Sequence, residues 1–399
     1  MEVYSEVAMP VVDFVFFDAG GGHRASAAAL CEAIQRHKYP WQVRMVNLQE
    51  LLDPIDIIRR VTGVRIQDVY NQILKRGLTL GSSQLLKILL AAIRLYHDKE
   101  VGILKAHWSK SRPDLVVSVI PHFNRALQES LSLAVPGTPF VTILTDIADY
   151  PPHFWMEPQE QRFICGSDKA VQQAYAMNIS AEFIHRSSGM IIHPRFYEPI
   201  TADRRCERQR LGLDPELPTG LVMFGGQGSR YMIDIAERLN IAKLQIQLIF
   251  ICGRNQKLAD QLRQYRSRFP QFIEGFTMEI PYYMHLADFF IGKPGPGSIS
   301  EALAMNLPVI VQENAWTLPQ ERYNAQWIRE KQVGFVVNTF RDIAAAVVNM
   351  LRPDQFSRLK ANAASLNNRA VFEIPDILND IMTAAAVCST PSSISNLPG

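Results

Sequence analysis

The sequence predicts an α/β protein made of two Rossmann-like halves, and three features carry that expectation. Short apolar runs alternate with helical patterns, a strand–glycine–helix turn opens each half, and a polar, broken stretch separates them. In the first half "VVDFVFF" runs from Val11 into glycines, and "ASAAALCEAIQRH" reads as a helix. "WQVRMVNL", "DLVVSVI", "FVTILTDI" and "RFICGS" read as further strands. After the linker from Ser187 to Leu213, the second half repeats the scheme with "TGLVMFGG", "QIQLIFICG", "ADFFIGK" and "LPVIVQE". Strands alternating with helices imply parallel sheets, whose ligands sit beyond the carboxyl ends of the strands. The expected division is a first domain over 1–198, a second over 199–383, and a small, polar, disordered tail over 384–399.

A chain of 399 residues exceeds what one core usually supports, which agrees with two domains. Five scattered cysteines, with no CxxC pair, argue against a disulfide scaffold or a cysteine-built zinc site and suit a reducing cytoplasm. Apolar stretches such as "LLKILLAAI" fall short of the ~20 residues of a spanning helix. The net charge of +2 is uneven: Leu51–Arg112 holds eleven basic against five acidic residues. Such an excess suits an anionic surface. Within it Leu85, Leu89 and Ile93 recur at helical spacing, with Lys87 and Arg94 on another face. That pattern fits a helix lying on a membrane, with core packing as the competing account of the leucines. No aromatic–basic interleaving supports nucleic acid as a partner.

The glycine turns narrow the ligand. "GGGHRAS" lacks the GxGxxG spacing of a dinucleotide site, and no GxxxxGK[ST] loop occurs. "MFGGQGS", with Gly225, Gly226, Gln227, Gly228 and Ser229, follows a strand and opens a helix. "IGKPGPGSISEAL" does the same, with Gly295, Pro296, Gly297 and Ser298 at the turn. Backbone N–H groups and a helix dipole at such turns favour an anion. Glu301, three residues after Ser298, reads either as the partner of a capping box or as a carboxylate accepting two ribose hydroxyls. Two phosphate-type loops and a ribose-type carboxylate place a nucleoside diphosphate in the second half. The "GGGH" loop, Gly20, Gly21, Gly22 and His23, then faces something else.

Together "DAGGGHRASAAAL", "LTDI", "ICGRNQKLA", "GKPGPGSISEALAMNLPVIV" and "PQERYNA" resemble the monogalactosyldiacylglycerol synthase family. They are similar, more distantly, to the N-acetylglucosaminyltransferase that completes the lipid-linked peptidoglycan precursor. Both belong to glycosyltransferase family 28, and the resemblance spans roughly Val11 to Val337. It implies the GT-B fold, with two Rossmann-like domains facing each other across a cleft. It also implies inverting, metal-independent transfer of a hexose from a UDP-sugar such as UDP-galactose, with no cofactor. The acceptor would be a diacylglycerol-like lipid, met by a cytoplasmic protein peripheral to an anionic membrane. On the donor side the resemblance implies that Gly225–Ser229 and Gly295–Ser298 bind the diphosphate, Glu301 the ribose and the backbone around Phe276 to Ile280 the uracil, with Arg254 also among the donor-binding residues. Gln320, Glu321 and Asn324 would meet the sugar. On the acceptor side His23 would be the base, with Asp18 nearby, Asp146 lining the cleft and His122 a weaker candidate. At the linker the chain departs from the family's "PVR": His193 stands where arginine is expected and Arg195 two residues later.

The chemistry agrees independently. An acceptor hydroxyl needs a base as it attacks, and histidine suits that near neutrality. Fixed N–H dipoles can stabilise a diphosphate leaving group. The plainer alternative for His23 is a histidine that merely braces the glycine loop. Two other functions share this architecture: a non-hydrolysing UDP-sugar epimerase and a non-catalytic nucleotide-sugar-binding protein.

Overall fold

The computed structural model describes residues 9–18, 22–55, 82–159 and 161–389. Two six-stranded sheets, parallel throughout, organise them. The first contains β1 (Val11–Phe16), β2 (Gln42–Asn47), β3 (Leu115–Ser118), β4 (Phe140–Ile143), β5 (Arg162–Cys165) and β6 (Ile184–Arg186), in the order β2-β1-β3-β4-β5-β6. The second contains β7 (Thr219–Met223), β8 (Gln247–Ile251), β9 (Gln271–Glu274), β10 (Phe289–Gly292), β11 (Val309–Gln312) and β12 (Gly334–Val337), in the order β12-β11-β10-β7-β8-β9. Strand order therefore reverses between β1 and β3 in one sheet and between β7 and β10 in the other. Those reversals are where such sheets leave a crevice for a ligand.

Every residue of β3, β4, β7, β8, β10 and β11 is buried, as a sheet covered on both faces requires. Side-chain alternation on β1 sends Val12, Phe14 and Phe16 to one face and Val15 to the other. The first face meets the helix α1 (Gly22–Arg36) through Ala27, Leu30 and Ile34. The second meets α2 (Ser82–Ser111) and α3 (Asn124–Ala134), where Leu104 and Trp108 pack with Leu127 and Leu131. In the second domain α4 (Pro296–Ala304) follows β10. Among the described residues no helix is long and apolar enough to cross a membrane.

The end of the chain departs from the expected tail. Helix α5 (Ala370–Ser389) runs past residue 384, and residues 390–399 lie outside the described set. Ala384, Ala385 and Ala386 are strong helix formers that extend it. Ala370, Val371, Ile374, Leu378 and Ile381 form one apolar stripe, which packs beside α1 in the first domain's core. The chain therefore crosses between the domains twice, near 187–193 and near 366–369. The two crossings clasp each other: Asn368 Nδ2 donates to Met190 O at 2.8 Å and Arg369 N to Ser188 Oγ at 2.6 Å. Ser188 N donates to Glu373 Oε2 at 2.7 Å and Tyr197 OH to Asn368 O at 2.7 Å. A cavity of about 310 Å³, lined by Ile147, Met190, Leu303, Trp327 and Asn368 among others, borders this clasp.

Gly166 lets the clasp close, because a Cβ there would stand 2.2 Å from the Gly189 carbonyl oxygen. Backbone must shift to admit even one methyl. Gly166→Ala should therefore lower the unfolding free energy by ~1–3 kcal/mol in denaturant titration. Gly226→Ala is the control, since a Cβ there meets nothing within 4 Å. Equal stabilities for the two variants would contradict the close approach.

Candidate active site

Both strand-order reversals carry a loop that the sequence singled out. In the first domain the glycine loop follows β1 and His122 follows β3. Gly20 and Gly21 lie outside the described residues; Gly22 opens α1 and is exposed. His23, next in the helix, reaches across the reversal so that its Nδ1 donates to Val119 O at 2.8 Å. A carbonyl only accepts, so the proton sits on Nδ1 and the neutral ring keeps its lone pair on Nε2. Thr145 Oγ1 stands 3.4 Å from the same Nδ1, and the Trp155 ring lies beside the imidazole at 6.0 Å between centroids. Burial drives the His23 pKa down to about 4, with the Val119 bond opposing it. The ring is neutral at physiological pH.

Asp146 follows β4 and is buried beside it, accepting from Trp155 Nε1 at 2.9 Å. Burial pushes its carboxyl up to about 7; the Trp155 bond and Lys293 pull it down, while Glu321 pushes it further up. Lys293 and Glu321 belong to the second domain, so Asp146 lines the boundary between the halves. Asp18 does not belong with them. Arg24 takes both its carboxylate oxygens and Asn47 Nδ2 donates to Oδ2 at 3.3 Å, so it neither orients nor assists His23.

The donor-side loops in the second domain are held open by their own backbone. Gly225 and Gly228 take φ of 73° and 60°, in the left-handed region that glycine tolerates. Arg254 N donates to Gly226 O at 2.9 Å and Asn255 Nδ2 to Gln227 O at 3.3 Å, tying the loop after β7 to the loop after β8. Ser229 Oγ accepts from Tyr231 N at 3.3 Å. The Arg254 guanidinium lies 4.6 Å over the Phe276 ring, which is 53% exposed. Ile280, four residues on, starts a short helix to Leu286.

The third loop corrects the capping reading. Helix α4 has Gly295 as its N-cap and Pro296 as its first residue, while Ser298 Oγ donates to Gly295 O at 3.3 Å from inside the first turn. Ser298 is no cap, so Glu301 completes no capping box. A Cβ on Gly297 would meet nothing within 4 Å, which leaves the N-terminal turn open. Burial pushes Glu301 up to about 7, and Arg195 opposes that shift. Arg195 also donates from Nη1 to Met278 O at 3.0 Å, which places it between Glu301 and the Phe276–Ile280 stretch. His193 instead pairs with Glu32 at 3.0 Å and accepts from Arg195 N, as a structural cap.

Among the sugar-side residues, Glu321 is buried and accepts from Lys293 Nζ at 2.7 Å, and Gln320 is half-buried beside it. Asn324 is fully buried and donates from Nδ2 to Pro294 O at 2.8 Å. Its Nδ2 thereby holds the loop, while its Oδ1 is buried and has no hydrogen-bond partner among the described residues. Of the surface residues named above, Leu85, Lys87 and Leu89 have side chains outside the described set, whereas Arg94 is exposed on α2. Sequence reasoning missed Trp155, Thr145 and Val119, whose places are set by folding and by no local spacing.

Residues 220–381 match the glycosyltransferase family 28 C-terminal domain. Over 404 residues the chain is 28% identical to a probable monogalactosyldiacylglycerol synthase 3 of Oryza sativa subsp. japonica, covering 94% of this chain and 75% of that one. It is 28% identical over 389 residues to monogalactosyldiacylglycerol synthase 2 of Arabidopsis thaliana, covering 91% and 78%. The fold superposes on the crystal structure of Acinetobacter baumannii MurG with a TM-score of 0.58 at 12% identity, covering 93% and 99%. It also superposes on Anabaena HepE in complex with UDP, at 0.53 and 14% identity, covering 94% and 100%. Residues 220–381 thus match the family 28 C-terminal domain, and the chain has the GT-B fold and is similar over nearly its whole length to the monogalactosyldiacylglycerol synthases.

Proposed function

We propose that the protein moves a hexose, with inversion, from a UDP-sugar to the hydroxyl of a diacylglycerol-like lipid at a membrane surface. The observation that carries it is His23: a neutral ring with its proton fixed on Nδ1 and Nε2 free to accept, on the domain that faces the two glycine loops. In the proposed reaction Nε2 takes the acceptor proton as the new C–O bond forms at the anomeric carbon. The bond from that carbon to the diphosphate breaks, and its electrons leave with UDP. N–H groups of Gly225–Ser229 and the first turn of α4 would stabilise that charge. Glu301 and Arg195 would hold the ribose side, Arg254 and Phe276 the base, and Gln320 with the Lys293–Glu321 pair the sugar. The domain division near residue 198 belongs to the same proposal. A UDP-sugar epimerase would turn over the nucleotide sugar alone, and a binding protein would turn over nothing. Incubation with UDP-sugar and diacylglycerol vesicles separates the three, through UDP release and a new glycolipid.

A base with a pKa of about 4 is weak in the free protein. The anionic diphosphate brought in by the donor would raise it, as opposite charge does. The acidic limb of kcat should therefore lie at higher pH than that of kcat/KM, which reports the free enzyme. His23→Ala should cut turnover by ~10²–10⁴-fold with little change in UDP affinity. Near-full turnover in that variant would reduce His23 to a brace for the loop.

Glu301 offers a test through stability. Its folded pKa of about 7 exceeds the ordinary 4.5, so the stability it contributes is present below about 4.5 and lost as pH rises through 7. Glu301→Gln lacks that loss. Wild type should become less stable relative to Glu301→Gln between pH 4.5 and 8 in thermal melts, while the variant binds UDP more weakly. A pH-independent difference would show that the carboxyl is not held in a dry site.

For the membrane, α2 presents exposed Arg94, Leu95 at 81% exposure, and Lys99 over the Tyr96 ring at 5.2 Å. Binding to vesicles should require anionic lipid and fade with salt, because such attraction is screened within ~10 Å at 0.1 M. Replacing Lys87 and Arg94 with glutamate should release the protein in sedimentation. Equal binding to neutral and anionic vesicles would exclude the basic surface.

A further inference from the structure

A second histidine stands across the strand-order reversal from His23, in a conformation that the fold alone does not favour. His122 follows β3 with φ of 72°, a left-handed backbone in which glycine or asparagine would sit more easily. Its Nδ1 is buried and has no hydrogen-bond partner. Its ring packs edge-on against Phe154 at 4.1 Å, a contact that any aromatic or leucine side chain could make without burying a nitrogen.

Strain of this kind persists only where the surroundings enforce it. Here they do so from several directions. His122 N donates to Phe154 O at 2.9 Å. Two residues on, Asn124 Nδ2 donates to Ile120 O and to Trp155 O, both at 3.1 Å, and Ser118 Oγ donates to Asn124 Oδ1 at 2.7 Å. The opposite loop is fixed in turn by Asp149, which accepts from Trp155 N at 2.7 Å and His153 N at 3.0 Å. Two loops are thus locked together, and the lock holds an imidazole with an unsatisfied nitrogen in the crevice where His23 also stands.

We infer that His122 is a second acceptor-binding ring: its Nδ1 hydrogen-bonds a headgroup oxygen next to the hydroxyl that His23 deprotonates, and so selects which hydroxyl attacks. This rests on the transfer reading above. Burial also drives the His122 pKa to about 4, and a charge on His23 would lower it further. Both rings are therefore neutral at physiological pH, and nothing in the pair favours a phosphate. The acceptor they suit is an uncharged glycerol-type headgroup offering a hydroxyl and a neighbouring ester oxygen.

The test uses the full chain with His122→Gly and His122→Asn, both compatible with the left-handed backbone. With 1,2-dihexanoylglycerol as acceptor, His122→Gly should raise the acceptor KM by about tenfold, the order of one lost hydrogen bond. UDP affinity should stay within about twofold and the melting temperature should not fall. His122→Asn should recover part of the acceptor KM. An unchanged acceptor KM, or a drop in melting temperature alone, would make the ring a packing element and overturn the inference. A second readout does not depend on turnover: in the ¹⁵N-histidine spectrum of wild type, dihexanoylglycerol should shift His122 Nδ1. If that shift occurs while no glycolipid forms, the transfer reading fails and the binding role stands. If no shift occurs, the binding role fails.

Discussion

Parallel pairing of β1 with β3, two strands separated by about a hundred residues of chain, brings the end of one beside the end of the other. Only that register lets the second residue of α1 place its ring against the carbonyl of Val119. The same bond decides which imidazole nitrogen is available for chemistry. The second sheet repeats the device, because β7 and β10 pair at the other reversal and put both glycine loops side by side. Everything proposed for the cleft depends on these two seams.

Burial is the largest influence on the titratable groups of the site. It lowers His23 and His122 to about 4 and raises Asp146 and Glu301 to about 7. All four shifts favour the neutral form, as desolvation always does. The fixed charge of the site then rests on Arg195, Arg254 and the Lys293–Glu321 pair, and the four neutral groups add none that would oppose a diphosphate.

Much of this was legible in the sequence, and the failures have physical causes. The central strands read clearly because strands buried on both faces are continuous apolar runs. The half-buried edge strands β6 ("IHR") and β9 ("QFIE") lack such runs and were missed, and β12 was missed although "GFVV" is a short apolar run. Glycine loops and His23 stood out because the chain allows few residues at tight turns. Asp18 misled through nearness in sequence, since Arg24, six residues on, takes its carboxylate. Ser298 misled although the signal was present: proline at 296 suits the first residue of a helix and moves the cap to Gly295. Asn324 could not be placed, because which face of a helix meets a loop is a tertiary matter.

Helix α5 returns to the core of the first domain, so the second domain is joined to it by two neighbouring segments rather than one. A body hung at two tied points turns about the line through them and resists twisting in other directions. The cavity next to Met190 and Trp327 borders that tie, so a rotation about it would change the space there.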